Sequence, residues 1–187
     1  MPAERPSPKP AGSTEPAGRT GSVGSVESVA AGRLTVVERL CALPFPAEVG
    51  RYWAPEGWGG PGFHLLVLQE TRDFWDGRGP EVTGPAEQEV EDAEQALAAL
   101  LTARWGPPES VGLRKYADTT DPDPLPEPLD FLGMLSGGVR LWRLPGTVRW
   151  VGLSIGQGDP ELPIQLLLAV GEVSALPRNC GEGPAPA

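Results

Sequence analysis

The pentapeptide Gly152-Leu153-Ser154-Ile155-Gly156 matches G-x-S-x-G, the pattern that places a serine nucleophile on a sharp turn between a strand and a helix. Such a serine needs a histidine base that follows it in the chain. The only histidine, His64, lies ninety residues before Ser154. We therefore interpret the pentapeptide as a β-strand whose glycines permit close packing, and we expect no hydrolase.

Two further patterns that could hold a ligand lack the surroundings their chemistry needs. Gly156-Gln157-Gly158 is half of a dinucleotide-binding fingerprint, but Pro160 and Pro163 oppose the helix whose N-terminus would meet the pyrophosphate. Cys41 and Cys180 are far apart in the sequence, whereas zinc ligands come in clusters. We expect no cofactor from these patterns and no zinc site.

An acidic stretch with Asp121, Asp123 and Glu127 offers oxygen ligands, but it lacks the glycine of a calcium loop and is straightened by prolines. We interpret it as a solvated loop. The sequence thus predicts no catalytic residue and no metal ligand, and it makes an enzyme the less favoured class.

The net charge of −10 resides in the region from 31 to 177, which holds 21 acidic and 11 basic residues. This charge repels phosphate backbones, so we expect no nucleic-acid partner. No apolar run approaches the length of a membrane span, residues 1–30 contain no apolar stretch of the kind an export signal requires, and the cysteines are single. We expect a soluble cytoplasmic protein. Thirteen arginines against two lysines are typical of a high-GC bacterial genome.

Composition divides the chain into three parts. Residues 1–30 are rich in Pro, Gly and Ser and predict a disordered tail, and 178–187 predict a flexible C-terminal tail. Residues 31–177 are enough for a single domain.

Hydrophobic periodicity predicts the elements of that domain. Helices are expected over 33–43, 85–105 and 129–136, and strands over 63–69, 139–143, 148–155 and 164–170. Together they indicate an α+β fold: a mostly antiparallel sheet, with one early strand and a C-terminal three-stranded meander, packed against two or three helices.

Aromatic residues concentrate between 45 and 75, where seven of the twelve occur in a segment rich in Pro and Gly. Long irregular segments are often functional, and tryptophan is a favoured anchor of protein interfaces. The alternative is that the rings hold the irregular segment on the core.

The predicted hairpin over 139–155 has three arginines and no acid. If Leu144 and Thr147 close its turn, Trp142 pairs with Arg149, and Arg140 lies on the same face. Arg149 would then stack on Trp142. The alternatives are a partner-recognition patch and an ordinary solvent-facing surface.

The segment LPEPLDFL, from Leu125 to Leu132, runs into Gly137-Gly138 and then into predicted strands. It resembles part of the SUKH superfamily of immunity and interaction proteins, where a Leu-Pro opens a helix that ends in glycine before a sheet. Gly156-Gln157-Gly158-Asp159 is similar to a second piece. The resemblance covers about thirty-five residues and implies a role in protein binding. The long helix before it departs from that family's order.

These observations favour a non-catalytic protein-interaction domain, of an immunity or regulatory type. The residues expected on its partner surface are Trp53, Trp58, Trp75, Arg140, Trp142 and Arg149.

The alternative is a small-molecule-binding domain or an enzyme of unfamiliar type. Its pocket would lie between the sheet and the loop 44–62, with Asp73, Asp76 or His64 as polar groups.

Overall fold

A computed structural model describes residues 23–51, 57–114 and 125–177. The helices are α1 (Val23–Ala42), α2 (Pro80–Trp105) and α3 (Leu129–Leu135). The strands are β1 (Gly50–Arg51), β2 (Gly57–Gly60), β3 (Phe63–Glu70), β4 (Glu109–Gly112), β5 (Gly138–Arg143), β6 (Arg149–Gly156) and β7 (Gln165–Glu172).

The strands form one antiparallel sheet in the order β1-β2-β3-β7-β6-β5-β4. The early strand β3 pairs with the last strand β7, and β5, β6 and β7 follow one another as a meander. The predicted α+β class and the meander are confirmed. The pattern did not reveal β1, β2 and β4, because each has four residues or fewer and the three include five glycines.

Helix α2 follows its apolar periodicity, with Val90, Leu97 and Leu101 buried against the sheet. It begins five residues earlier than predicted, since Pro80 occupies the first turn, where a missing N–H costs nothing. It ends at Gly106, whose φ of 89° lies in the region that glycine adopts without strain.

Helix α1 corrects the expected domain boundary. It begins at Val23 rather than at residue 33, and Ala30 is buried. The tail expected over 1–30 therefore does not extend to residue 30, because α1 already begins at Val23 and its Ala30 is buried. Residues 1–22 and 178–187 lie outside the described residues.

The sheet is covered on both faces. Helices α1 and α2 pack on one face, around Trp142, Val151 and Leu168. Helix α3 packs on the other face, around Trp150 and Leu141. We call these the α1–α2 face and the α3 face. None of the helices in the described ranges has the length and apolar character that crossing a bilayer requires.

The hairpin of β5 and β6 has a different register from the predicted one. Trp142 pairs with Val151, not with Arg149, because the Leu144 N–H donates to the Arg149 carbonyl and leaves Val148 outside the ladder. The Gly146 φ of 72° suits the expected Pro-Gly turn. The shift is two residues, so Arg140, Trp142 and Arg149 still share one face. That face is the α1–α2 face, which the helices cover.

Candidate functional site

Trp142 lies in the core. Its side chain is 1% exposed among α1, α2 and the neighbouring strands, and its Nε1 donates to the Thr102 hydroxyl at 3.3 Å. The prediction that Trp142 lies on a partner surface is wrong. Side chains of the hairpin alternate between the two faces as expected, but Trp142 lies on the α1–α2 face, which the helices cover.

Arg149 is occupied by the end of helix α1. Its Nη1 donates to the carbonyls of Cys41 at 2.6 Å and Leu43 at 2.7 Å, and its guanidinium lies 4.1 Å from the centre of the Phe45 ring. The last carbonyls of a helix lack partners within the helix, and a cation there also suits the helix dipole. Arg149 therefore caps α1, and its cation–π partner is Phe45 rather than Trp142.

Arg140 forms an ion pair with Glu94 of α2, across the α1–α2 face. Glu94 is buried, while the Arg140 side chain is partly exposed. Burial raises the pKa of Glu94, and the charge of Arg140 opposes that rise. The register thus separates the roles of the three hairpin residues: one is core, one is a helix cap and one is the partner of a buried acid.

Trp58 is half-buried on β2, and its ring meets Phe131 of α3 edge-on, with ring centres 4.4 Å apart. It belongs to the packing of the α3 face, beside Leu65, its partner in β3. Trp53 lies outside the described residues. For Trp58 the structure thus fits the alternative that aromatic rings hold the irregular segment on the core.

Among the predicted site residues that the structure describes, Trp75 is the most exposed. Its side chain is 62% exposed, although Phe74 before it is buried. Phe74 belongs to a small apolar cluster with Val90, Ile164 and Leu166. Trp75 is therefore presented outward by a loop whose adjacent residue is anchored in the core.

The loop after β3 and the loop between β6 and β7 are joined by hydrogen bonds. The Phe74 N–H donates to the Glu161 carbonyl at 2.8 Å, and Thr71 exchanges two hydrogen bonds with Ile164, both 2.9 Å. Arg78 forms an ion pair with Glu161. The segments 71–79 and 157–164 thus form one bonded unit, which we call the Trp75 surface.

The Trp75 surface combines apolar and acidic character. Leu162 is exposed beside Glu161, and the two segments hold four acids and two arginines. The acids are Asp73, Asp76, Asp159 and Glu161. An exposed aromatic ring within an acidic rim is suited to a partner that is basic around an apolar recess. Sequence reasoning named Trp75 but missed the second loop, because only the fold brings residue 161 beside residue 74.

The polar groups of the proposed alternative pocket are not brought together. His64 lies near the beginning of β3, while Asp73 and Asp76 lie beyond its other end. His64 is buried, with its ring centre 5.0 Å from that of Phe45. Burial lowers the pKa of His64; contact with the Leu43 backbone opposes this, and the charge of Arg149 adds to it.

The other candidate reactive groups, Ser154 and Cys41, lie in surroundings that do not activate them as nucleophiles. Ser154 is buried within β6, which continues through Gly156 without a turn, and its hydroxyl donates to the Gly138 carbonyl at 2.8 Å. Burial raises the pKa of the Cys41 thiol to about 12, which keeps it protonated and a poor nucleophile. Within the ranges that the structure describes, no three His, Cys, Asp or Glu side chains gather as a metal site.

Comparison with known proteins gives no relative. No family model matches the chain, and neither a curated protein nor a solved structure matches it. The resemblance to the SUKH superfamily therefore remains an expectation that depends on its short motifs.

Proposed function

We propose that this chain is a non-catalytic protein-interaction domain that binds a basic protein partner through the Trp75 surface. The observation that carries the proposal is the exposure of Trp75 on a bonded pair of loops. A tryptophan ring contributes large contact area, and exposing it to water is unfavourable unless a partner covers it.

The hydrogen bonds that join the two loops support this role. Association costs entropy when loops must be ordered, and a pre-ordered surface avoids part of that cost. The segment 157–164 is further ordered by Asp159, whose carbonyl accepts from the Leu162 N–H at 2.9 Å and whose carboxylate accepts from the Glu161 N–H at 3.1 Å. The Trp75 surface is thus prepared for binding before a partner arrives.

Charge supports the choice of partner. The chain carries a net charge of −10, and the Trp75 surface is itself acidic. A basic protein gains both steering and specificity from this charge, whereas nucleic acid is repelled. The expectations of a cytoplasmic protein, of bacterial origin and of an immunity or regulatory role belong to this proposal.

The proposal is tested by quantitative co-purification from the native host with tagged wild type and Trp75→Ala. We expect one stoichiometric partner with wild type and a loss of at least tenfold in its recovery with Trp75→Ala, as for an interface anchor. The matched control is Val148→Ala, because Val148 is 70% exposed and lies on the β5–β6 turn, outside the Trp75 surface.

The control must recover the partner as wild type does. Double replacement of Asp73 and Asp76 by Asn should weaken recovery and reduce its dependence on salt. Equal recovery by wild type and Trp75→Ala, or recovery of no stoichiometric protein, would contradict the proposal.

A further inference from the structure

A cleft opens on the α1–α2 face beside the Arg140–Glu94 ion pair. Its volume is about 400 Å³, within the range of small-molecule sites. Ser110 and Gly112 of β4 form one side, and Leu153 and Ile155 of β6 form an apolar wall. The cleft lies at the start of β5, the end remote from the β5–β6 turn. None of its lining residues belongs to the Trp75 surface.

The cleft exists because β4 and the start of β5 place small residues on the α1–α2 face. Val111 packs on the α3 face, so Ser110 and Gly112 point toward the α1–α2 face. Gly138, the partner of Gly112 in β5, also has no side chain. Larger residues at these positions would fill the space between the sheet and α2.

The ion pair at the wall is unequally exposed. The Glu94 side chain is 6% exposed and that of Arg140 is 41% exposed, so the guanidinium is the more open of the two charges, and both residues line the cleft. This ion pair adds little net stability, because the buried Glu94 carboxylate loses its hydration when it pairs with Arg140. Because the pair lies in a cleft and adds little to stability, it is a candidate ligand-binding group.

The two charges define the chemistry of that ligand. Glu94 and Arg140 are in direct contact, so a molecule that satisfies both must carry a donor and an acceptor close together. The pair has no net charge and does not favour a simple anion or a simple cation. Burial disfavours the charged form of Glu94, and a second cationic donor would restore it.

We propose that this cleft binds a small aliphatic zwitterion of the α-amino-acid type. Its ammonium group donates to the Glu94 carboxylate, its carboxylate accepts from the Arg140 guanidinium, and its side group contacts Leu153 and Ile155. The Ser110 hydroxyl at the rim supplies a further polar contact. This site goes beyond the proposed protein-binding function and does not depend on it.

The first test uses L-valine, L-leucine and L-isoleucine as probes, with binding followed by ligand-detected NMR and calorimetry. Isoamylamine and isocaproate each resemble leucine without one of its two charged groups. We expect at least one amino acid to bind with a Kd in the millimolar range or below, and each single-charge analogue to bind at least tenfold more weakly than leucine. Absence of binding by all three amino acids, or equal binding of leucine and its analogues, would overturn the proposal.

Gly112→Val locates the site. A Cβ at Gly112 meets no atom within 4 Å, so a valine there extends into the cleft with open space around its Cβ. Gly50→Val is the matched control, because Gly50 is a strand glycine at the opposite edge of the sheet with the same open surroundings. We expect Gly112→Val to abolish amino-acid binding and Gly50→Val to retain it. Retained binding in Gly112→Val, or equal loss in both variants, would place the ligand elsewhere.

Glu94→Gln tests the assigned polarity. The amide keeps the shape of the side chain but removes its negative charge. The charge of Arg140 is then no longer balanced, and the cleft wall becomes positive. We expect leucine to bind about tenfold more weakly and isocaproate to bind more tightly than to wild type. Unchanged selectivity in a folded Glu94→Gln variant would overturn the assignment, and if that variant does not fold, the glycine pair decides.

Discussion

The β5–β6 hairpin and the Trp75 surface both present tryptophan and arginine in the sequence, yet they have opposite places in the molecule. In the hairpin, Trp142 is core and Arg149 closes the end of α1. At the Trp75 surface, the ring points to solvent and Arg78 only ties one loop to the other.

The difference arises from the neighbours that each region meets. The hairpin lies within the sheet, between β7 and the edge strand β4, where two helices from distant parts of the chain cover one face. The Trp75 surface follows the end of β3, and there Phe74 is buried in the core while Trp75 is exposed. Tryptophan and arginine in a segment therefore indicate that their side chains make contacts. The fold decides whether those contacts are with this chain, as for Trp142, or are left open for another molecule, as for Trp75.

The largest contrast is expected on truncation of the two tryptophans. Trp142→Ala removes a fully buried ring and should lower the free energy of unfolding by about 3–5 kcal/mol. Trp75→Ala should change it by about 0.5 kcal/mol or less, because the ring has few neighbours to lose. Urea unfolding monitored by circular dichroism measures both. Equal losses in the two variants would remove the distinction between core and surface.

A smaller effect is expected at Arg149. Arg149→Met keeps the aliphatic length but loses the donation to the Cys41 and Leu43 carbonyls, and should cost about 1.5–3 kcal/mol of unfolding free energy. Arg149→Lys keeps a cation at the end of α1, so it should lose less. Hydrogen exchange should report the loss in the last turn of α1 first. If the two variants are as stable as wild type, Arg149 is not a helix cap.

The smallest effect is the pH dependence contributed by His64. Because burial and Arg149 lower its pKa in the folded protein, His64 is neutral there while the unfolded chain takes up a proton below the ordinary value of 6.5. Above pH 6.5 His64 is neutral in both states and does not lower the free energy of unfolding. As pH decreases from 6.5 toward the folded pKa, the unfolded chain gains a proton that the folded protein does not, so the free energy of unfolding falls.

His64→Gln isolates this contribution, since no other histidine exists in the chain and the carboxylates titrate in both proteins. Glu94, whose folded pKa is raised, changes stability in the opposite sense as it deprotonates, and it cancels in the difference. The wild-type-minus-variant curve from urea unfolding should decline below pH 6.5. A flat difference would show that His64 is not held in an environment that disfavours its charge.

The sequence by itself determined the α+β class, the early strand, the three-stranded meander and the position of α2, because the alternation and helical spacing of apolar residues encode these elements locally. It also indicated that Ser154 is a strand residue, since no histidine base follows it. Trp75 was named as a surface candidate on its type and its irregular surroundings alone.

Tertiary structure decided which face of the hairpin is covered, because the hydrogen bonds that join it to α2 and to the end of α1 connect residues 40 and 108 positions apart. It also brought Glu161 beside Phe74 and Arg140 beside Glu94, and neither contact has a local pattern. Alternation in a strand states that two faces differ, but it does not state what lies above each of them. For this reason Trp142 was misplaced by sequence reasoning, and the cleft beside Glu94 could be found only in the fold.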